Sequence, residues 1–296
     1  VVERIAIVGP GLIGGSFALA LREAGYRGHI TAIGRNRQAL LRAVERGIAN
    51  DFETAIDAAI PAADLVLLAV PVGAMEPLLK QIAAVARPDT IVTDAGSVKQ
   101  HFIDAARRQM PSIENVVPAH PIAGTEHSGV EAGFAELYRG RRLILTPLPE
   151  TSPLALDEVD KLWRMTGAVI ETMDPKRHDH VFAATSHLPH LLAFSLVESL
   201  NRMQQQDEVL RYAAGGFSDF TRIASSDPVM WRDICLHNRD AVLGAFDQLQ
   251  HGLSLLRAAI ANQDASEIER TFAIAKETRD ALLAVSKPEA GSQQES

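Results

Sequence analysis

The chain has one cysteine, Cys235, in 296 residues, so no internal disulfide can form and a reducing, cytoplasmic setting is expected. Cys235 itself reads as a small buried hydrophobe rather than a reactive thiol. Nowhere is there a run of about 18 apolar residues, the length a membrane-spanning helix requires. Residues 12–21 come nearest, but Gly14, Gly15 and Ser16 break the run and no charged stretch precedes it, so it does not read as a secretory signal. Positive charge is also short: 29 Lys and Arg against 37 Asp and Glu leave a net charge of −8. That excludes the broad basic face of a nucleic-acid binder. An anionic small molecule would need a local cluster of cations against this background.

What is present is ordinary for a globular protein, 47% hydrophobic and 22% charged, and the length suggests two domains. Apolar strand patterns at residues 4–9, 29–34, 64–70, 90–94, 115–119 and 141–146 alternate with amphipathic helices at 11–24, 37–46, 75–85 and 98–110. A helix at 153–166 and a strand at 168–172 follow. This alternation predicts an α/β Rossmann-type, doubly wound domain over residues 1–173. From residue 174 the pattern is helical only, an all-α domain to residue 286, followed by a polar tail at 287–296 that reads as disordered. Val242, Phe246, Leu249, Leu253, Leu256 and Ile260 make a helical stripe expected to be buried. Long stripes of this kind suit packing against a second copy, and a homodimer is expected. Asp264 with Glu267 resembles a capping box opening one more helix.

The most specific local motif is Gly9-Pro10-Gly11-Leu12-Ile13-Gly14, placed after a strand and before a helix. Gly9 permits the tight turn, Gly11 lets a pyrophosphate approach the backbone, and Gly14 lets helix pack closely on strand. The helix start at Leu12 and Ile13 offers free amides and a positive dipole end to phosphates. This is a nicotinamide-dinucleotide site. An NAD site commonly ends its second strand in an acid that holds the ribose hydroxyls. Here that strand ends in Gly34, followed by Arg35, Asn36 and Arg37, which suits a 2′-phosphate, so NADP is expected over NAD. Val70 and Pro71 end a further strand at the same sheet edge, where they either line the cofactor or simply reverse the chain.

Two more segments follow strands at that edge: Asp94-Ala95-Gly96-Ser97-Val98-Lys99 and His120-Pro121-Ile122-Ala123-Gly124-Thr125-Glu126-His127. The helical half carries Ser186-His187-Leu188-Pro189-His190 and Phe217-Ser218-Asp219-Phe220-Thr221-Arg222, then Asp227-Pro228-Val229-Met230-Trp231. In these motifs and their order the chain resembles the prephenate and arogenate dehydrogenase family of tyrosine biosynthesis, over nearly its whole length. The resemblance implies oxidative decarboxylation of a cyclohexadienol, with hydride passing to a nicotinamide. The substrate is prephenate, arogenate or both. It implies that His120 takes the hydroxyl proton, helped by Ser97, which local reading also explains as a helix cap. It places Arg222, His190, Thr125, Glu126 and Trp231 on the substrate, with Trp231 equally readable as core, and Gly215 near a neighbouring subunit's site.

His178, His180, His187 and His190 also invite a metal reading, but no accompanying cysteine or carboxylate spacing supports it and the chemistry needs no Lewis acid. No metal, nucleic-acid or membrane partner is expected. Pro189 crowds the carbonyl of Thr185 and should kink its helix. Two other readings compete, a different two-domain hydroxyacid dehydrogenase and a dinucleotide sensor without turnover. The first leaves the histidines without a role, and the second leaves His120, Ser97 and Arg222 unexplained.

Overall fold

The structure, a computed structural model, describes residues 2–203 and 211–285. Residues up to Val242 form one compact unit and residues from Leu243 a second. The expected tail at 287–296 lies outside the described residues.

Six parallel strands are ordered β3-β2-β1-β4-β5-β6. They are β1 (Arg4–Val8), β2 (His29–Ile33), β3 (Asp51–Glu53), β4 (Leu65–Leu68), β5 (Ile91–Asp94) and β6 (Val116–Val117). The central strands are apolar on both sides because helices cover both faces. Ile5, Ile7, Leu65 and Leu67 join one core, while Ala6, Val8, Val66 and Leu68 join the other. Each fully buried branched side chain here is worth about 1.5–3 kcal/mol over its exposed state. The strand order reverses between β1 and β4, the switch point where doubly wound sheets bind ligands at their carboxyl edge.

Helices α1 (Leu12–Glu23), α2 (Arg37–Glu45), α3 (Ile56–Ala59), α4 (Met75–Val85) and α5 (Lys99–Gln109) connect the sheet strands. A second sheet holds β7 (Ala119–Pro121), β8 (Arg142–Leu145) and β9 (Val169–Thr172), with α6 (Pro153–Met165) between the last two. β7 runs antiparallel to β8, and β9 parallel to it.

Three expectations need correction here. The single strand expected at 115–119 is two, broken at Pro118, which has no amide to donate to a ladder. His120 therefore lies inside β7, not beyond a strand's end. The strand at 141–146 belongs to the second sheet rather than the doubly wound one. β3, only three residues long and without apolar alternation, escaped the pattern altogether.

Beyond β9 the described chain is helical: α7 (Pro175–Phe182), α8 (Leu188–Asn201), α9 (Gly215–Thr221), α10 (Pro228–His237), α11 (Arg239–Ala261) and α12 (Ala265–Val285). Between α7 and α8, residues Ala183–His187 form a π-helical turn. This is how the helix accommodates Pro189, which removes a donor and displaces the carbonyl four residues earlier. Asp227 caps α10 through the Met230 amide at 2.8 Å, with Pro228 in the first turn, and Asp264 caps α12 through the Glu267 amide at 3.0 Å.

Only Val242 of the stripe on α11 is buried in the single chain; Leu249 and Leu256 are half-buried and the rest exposed. Leu253 is 53% and Ile260 58% exposed, and Phe272 and Ile274 on α12 are exposed as well. Periodicity reports that a face is apolar, not what covers it. No helix among the described residues is long and apolar enough to cross a membrane.

Candidate active site

The glycine loop lies at the switch point. Gly9 has φ of +91°, and a Cβ there would stand 2.5 Å from the Ala69 carbonyl and 2.9 Å from Val70, so the end of β4 closes one side of the loop. At Gly14 a Cβ would stand 2.5 Å from the Gly9 carbonyl and 2.8 Å from Ile7. These two glycines are required by packing. Gly11 is different: its Cβ would meet nothing nearer than the Gly129 amide at 4.0 Å, and it opens α1 without any side-chain cap. Open space over an uncapped helix start suits a pyrophosphate.

A strap over residues 129–138 forms the far wall of that space. Tyr138 donates to the Ile13 carbonyl at 2.6 Å, the Phe134 amide donates to Ser16 at 3.0 Å, and Arg46 donates to the Val130 and Gly133 carbonyls. Glu131 adds an ion pair to Arg42.

At the end of β2, Gly34 donates its amide to the Glu53 carbonyl. Asn36 caps α2 by accepting the Gln38 and Ala39 amides. Arg37 lies over the Phe52 ring at 5.2 Å, so it is less free than its sequence position suggests. Arg35 is exposed and makes no ion pair or side-chain hydrogen bond with the described residues. Pro71 is exposed at the turn after β4. Next to it, Gly73 lacks a side chain just where the buried Asp233 carboxylate of α10 stands, 2.6 Å from a would-be Cβ.

His120 is nearly buried and points into a chain of partners. Its Nδ1 is 2.8 Å from His178 Nε2, and His178 Nδ1 is 2.8 Å from Asp179 Oδ1. Asp179 also accepts the Lys99 and Gln100 amides at 2.8 and 2.9 Å, so it caps α5 across the fold. A carboxylate only accepts, which sets the tautomers in sequence. His178 carries its proton on Nδ1 and accepts at Nε2, so His120 donates from Nδ1 and keeps a bare lone pair on Nε2. Burial, then the His178 ring, then Lys99, drive the His120 pKa well below 6.5. The ring is a neutral base.

Ser97 is not the cap of α5, because Asp179 supplies that role. Its hydroxyl makes no hydrogen bond with the described residues. It is half-buried in the turn after β5.

The other histidines are spent separately. Asn238 donates to the Asp179 carbonyl at 2.8 Å and meets His187 Nδ1 at 3.2 Å, and burial lowers the His187 pKa to about 4. His190 donates from Nδ1 to the Ser186 carbonyl at 2.9 Å, a bond made in the π-turn, and its ring stacks on Trp231 at 3.7 Å. Trp231 is buried with Val72, Val98 and Ile234, as its core reading has it. Arg222 reaches Glu126 at 3.6 Å, and Thr125 accepts the His127 amide, shaping the same loop. Gly215 opens α9 with nothing within 4 Å of a would-be Cβ. Cys235 is half-buried, and burial raises its thiol pKa.

The fold thus pairs His120 with His178, His190 with Trp231 and Arg222 with Glu126, each across elements far apart in sequence. The residues missed were His178 and Asp179. The only local signal was an acid next to a histidine at the start of the helical half.

Known proteins match this chain over both halves. A model described as the nucleotide-binding domain of prephenate dehydrogenase matches residues 17–172, and one described as its dimerization domain matches residues 174–274. A cyclohexadienyl dehydrogenase of Zymomonas mobilis is 38% identical over 96% of this chain and 97% of its own length. A prephenate dehydrogenase of Bacillus subtilis is 36% identical over 95% of this chain and 76% of its own. Among solved structures, prephenate dehydrogenase of Aquifex aeolicus in complex with hydroxyphenyl propionate and NAD+ superposes with a TM-score of 0.89 at 37% identity, covering 95% of this chain and 98% of that one.

Proposed function

The chain belongs to the prephenate dehydrogenase family, and on that premise we propose that it oxidatively decarboxylates prephenate, arogenate or both, with NADP preferred, as a homodimer. The observation that carries this reading is the hydrogen-bonded series from Asp179 through His178 to His120, which ends in an unshared lone pair on His120 Nε2.

The chemistry follows from that lone pair. His120 Nε2 accepts the proton of the substrate's C4 hydroxyl, and the resulting imidazolium charge is stabilised through His178 by Asp179. Ser97 offers a second hydrogen bond to the same oxygen. The glycine loop and the uncapped start of α1 would hold a nicotinamide dinucleotide, which would supply the acceptor for the C4 hydride. As the C4–O bond gains carbonyl character, the C–C bond to the ring carboxylate breaks. Its electrons pass through the ring to that oxygen, carbon dioxide leaves, and the phenolate takes the proton back from His120 to become the phenol. Arg222 supplies the cation for the side-chain carboxylate at the mouth of the site, as a guanidinium does well in a planar contact. Glu126 beside it offers an anion, and an amino-acid side chain could use both.

Arg35, exposed at the end of β2 where an NAD site carries an acid, favours NADP. The named Aquifex aeolicus complex contains NAD+, so this preference would separate two similar pockets. The apolar faces of α11 and α12 favour the homodimer. Initial rates for the four pairings of prephenate or arogenate with NAD or NADP test the reading. Turnover with at least one substrate and a higher kcat/KM with NADP are expected. No reduced nicotinamide in any pairing would refute the function, and a preference for NAD would refute the cofactor choice alone.

A further inference from the structure

Two charged side chains without solvent exposure lie between the residues assigned to the reaction. Asp94 closes β5 and Lys99 opens α5, and they bracket the turn that carries Ser97. Both are 0% exposed and form an ion pair. One Asp94 oxygen accepts the Gly96 amide at 2.8 Å, and the other accepts the Ala119 amide at 3.1 Å. The Lys99 ammonium donates to the Ala119 carbonyl at 2.5 Å. Both backbone polar groups of Ala119 are therefore held by the pair, and the next residue is His120. At Gly96 a Cβ would stand 2.9 Å from Asp94 and 2.6 Å from Met75, so the turn is tight against the same carboxylate.

A buried pair of this kind is a poor source of stability. Desolvating each ion costs several kcal/mol, and well-packed apolar residues often serve as well or better. Its hydrogen bonds suggest what it is for. We propose that the Asp94–Lys99 pair is a positioning element of the active site, holding the backbones of His120 and Ser97 in fixed register and keeping an ammonium beside the His120 ring. The proposal rests on the assignment of His120 and Ser97 to the reaction. The other groups acting on the His120 ring are His178, His187 and the edge of Phe182, with Asp179 behind His178. Lys99, paired with Asp94, is the ammonium in that set.

The double variant Asp94→Asn/Lys99→Met removes both charges and leaves neither ion buried alone. Dinucleotide affinity should be unchanged. Turnover should fall about 10²-fold, the scale of an ångström-sized misplacement of a reacting group. The acidic limb of the kcat/KM profile should move to higher pH, because His120 loses a neighbouring cation. Near-normal turnover, or lost turnover with the acidic limb unmoved, overturns the proposal. A second readout uses the unaltered protein, so it survives a variant that does not fold. The Ala119 amide should exchange with solvent as slowly as the centre of β4, and rapid exchange overturns the positioning role. Absence of turnover by the unaltered enzyme would strike the functional reading instead, while slow Ala119 exchange would still mark the clamp.

Discussion

In the unit up to Val242, charged groups go inside and find partners. In the unit from Leu243, apolar side chains stay outside. Asp94, Lys99, His178 and Asp179 are all buried, and each is hydrogen-bonded at least once. Leu253, Leu255, Ile260 and Phe272 are more than half exposed. Burying an ion costs several kcal/mol unless it is paired, and exposing a branched apolar chain forgoes about 1.5–3 kcal/mol. The first unit thus buries charge at a cost that chemistry explains. The helical unit stays incomplete until something apolar covers it.

The contrast can be tested from both sides. The largest effect is expected inside the first unit: His120→Asn removes the base and should lower turnover by about 10²–10⁴-fold, while dinucleotide binding, followed by fluorescence, is retained. Near-normal turnover would take His120 out of the mechanism. In the second unit, Phe246→Asp with Leu253→Asp puts two carboxylates on the exposed stripe. Sedimentation should then show a dimer becoming a monomer that still binds dinucleotide, and an unchanged mass would mean that the stripe is not the interface.

A smaller effect is expected at the sheet edge. Arg35→Ala should weaken NADP about tenfold, the loss of roughly one charge-assisted hydrogen bond, and leave NAD unaffected. Equal loss for both would show that Arg35 does not read the 2′-phosphate.

The smallest effect concerns the buried histidines. Burial lowers the pKa of His120, His178 and His187 from 6.5 in the folded state, that of His187 to about 4. Between those values the unfolded chain binds more protons than the folded one, so stability rises with pH. The contribution is fully present above pH 6.5 and is lost progressively as pH falls towards 4. Melting temperatures should therefore begin to drop below pH 6.5, before most carboxylates titrate. A flat profile from about pH 7 to about pH 5 would mean that these rings are not held neutral by burial.

The parts of the site that were legible in the sequence are those whose cause is local. Gly9 and Gly14 read correctly because the steric demands of a strand–turn–helix act within a few residues. The caps Asp227 and Asp264 read correctly for the same reason. Ser97 misled because its local cap role was taken by Asp179, 80 residues from Lys99. His178 could not be seen because its significance is a contact with His120, 58 residues away. The stripe on α11 was right in period, while what covers it is not set by local sequence.

By itself the sequence determined the alternation of strand and helix, the glycine loop, the apolar faces and the family motifs, because each is set by short-range sterics or periodic patterning. Only the tertiary structure decided which nitrogen of His120 is free, why Asp94 and Lys99 are buried, and which apolar stripe is left without cover. Those outcomes depend on groups brought together by chain folding, where burial and one hydrogen-bond partner decide protonation and exposure.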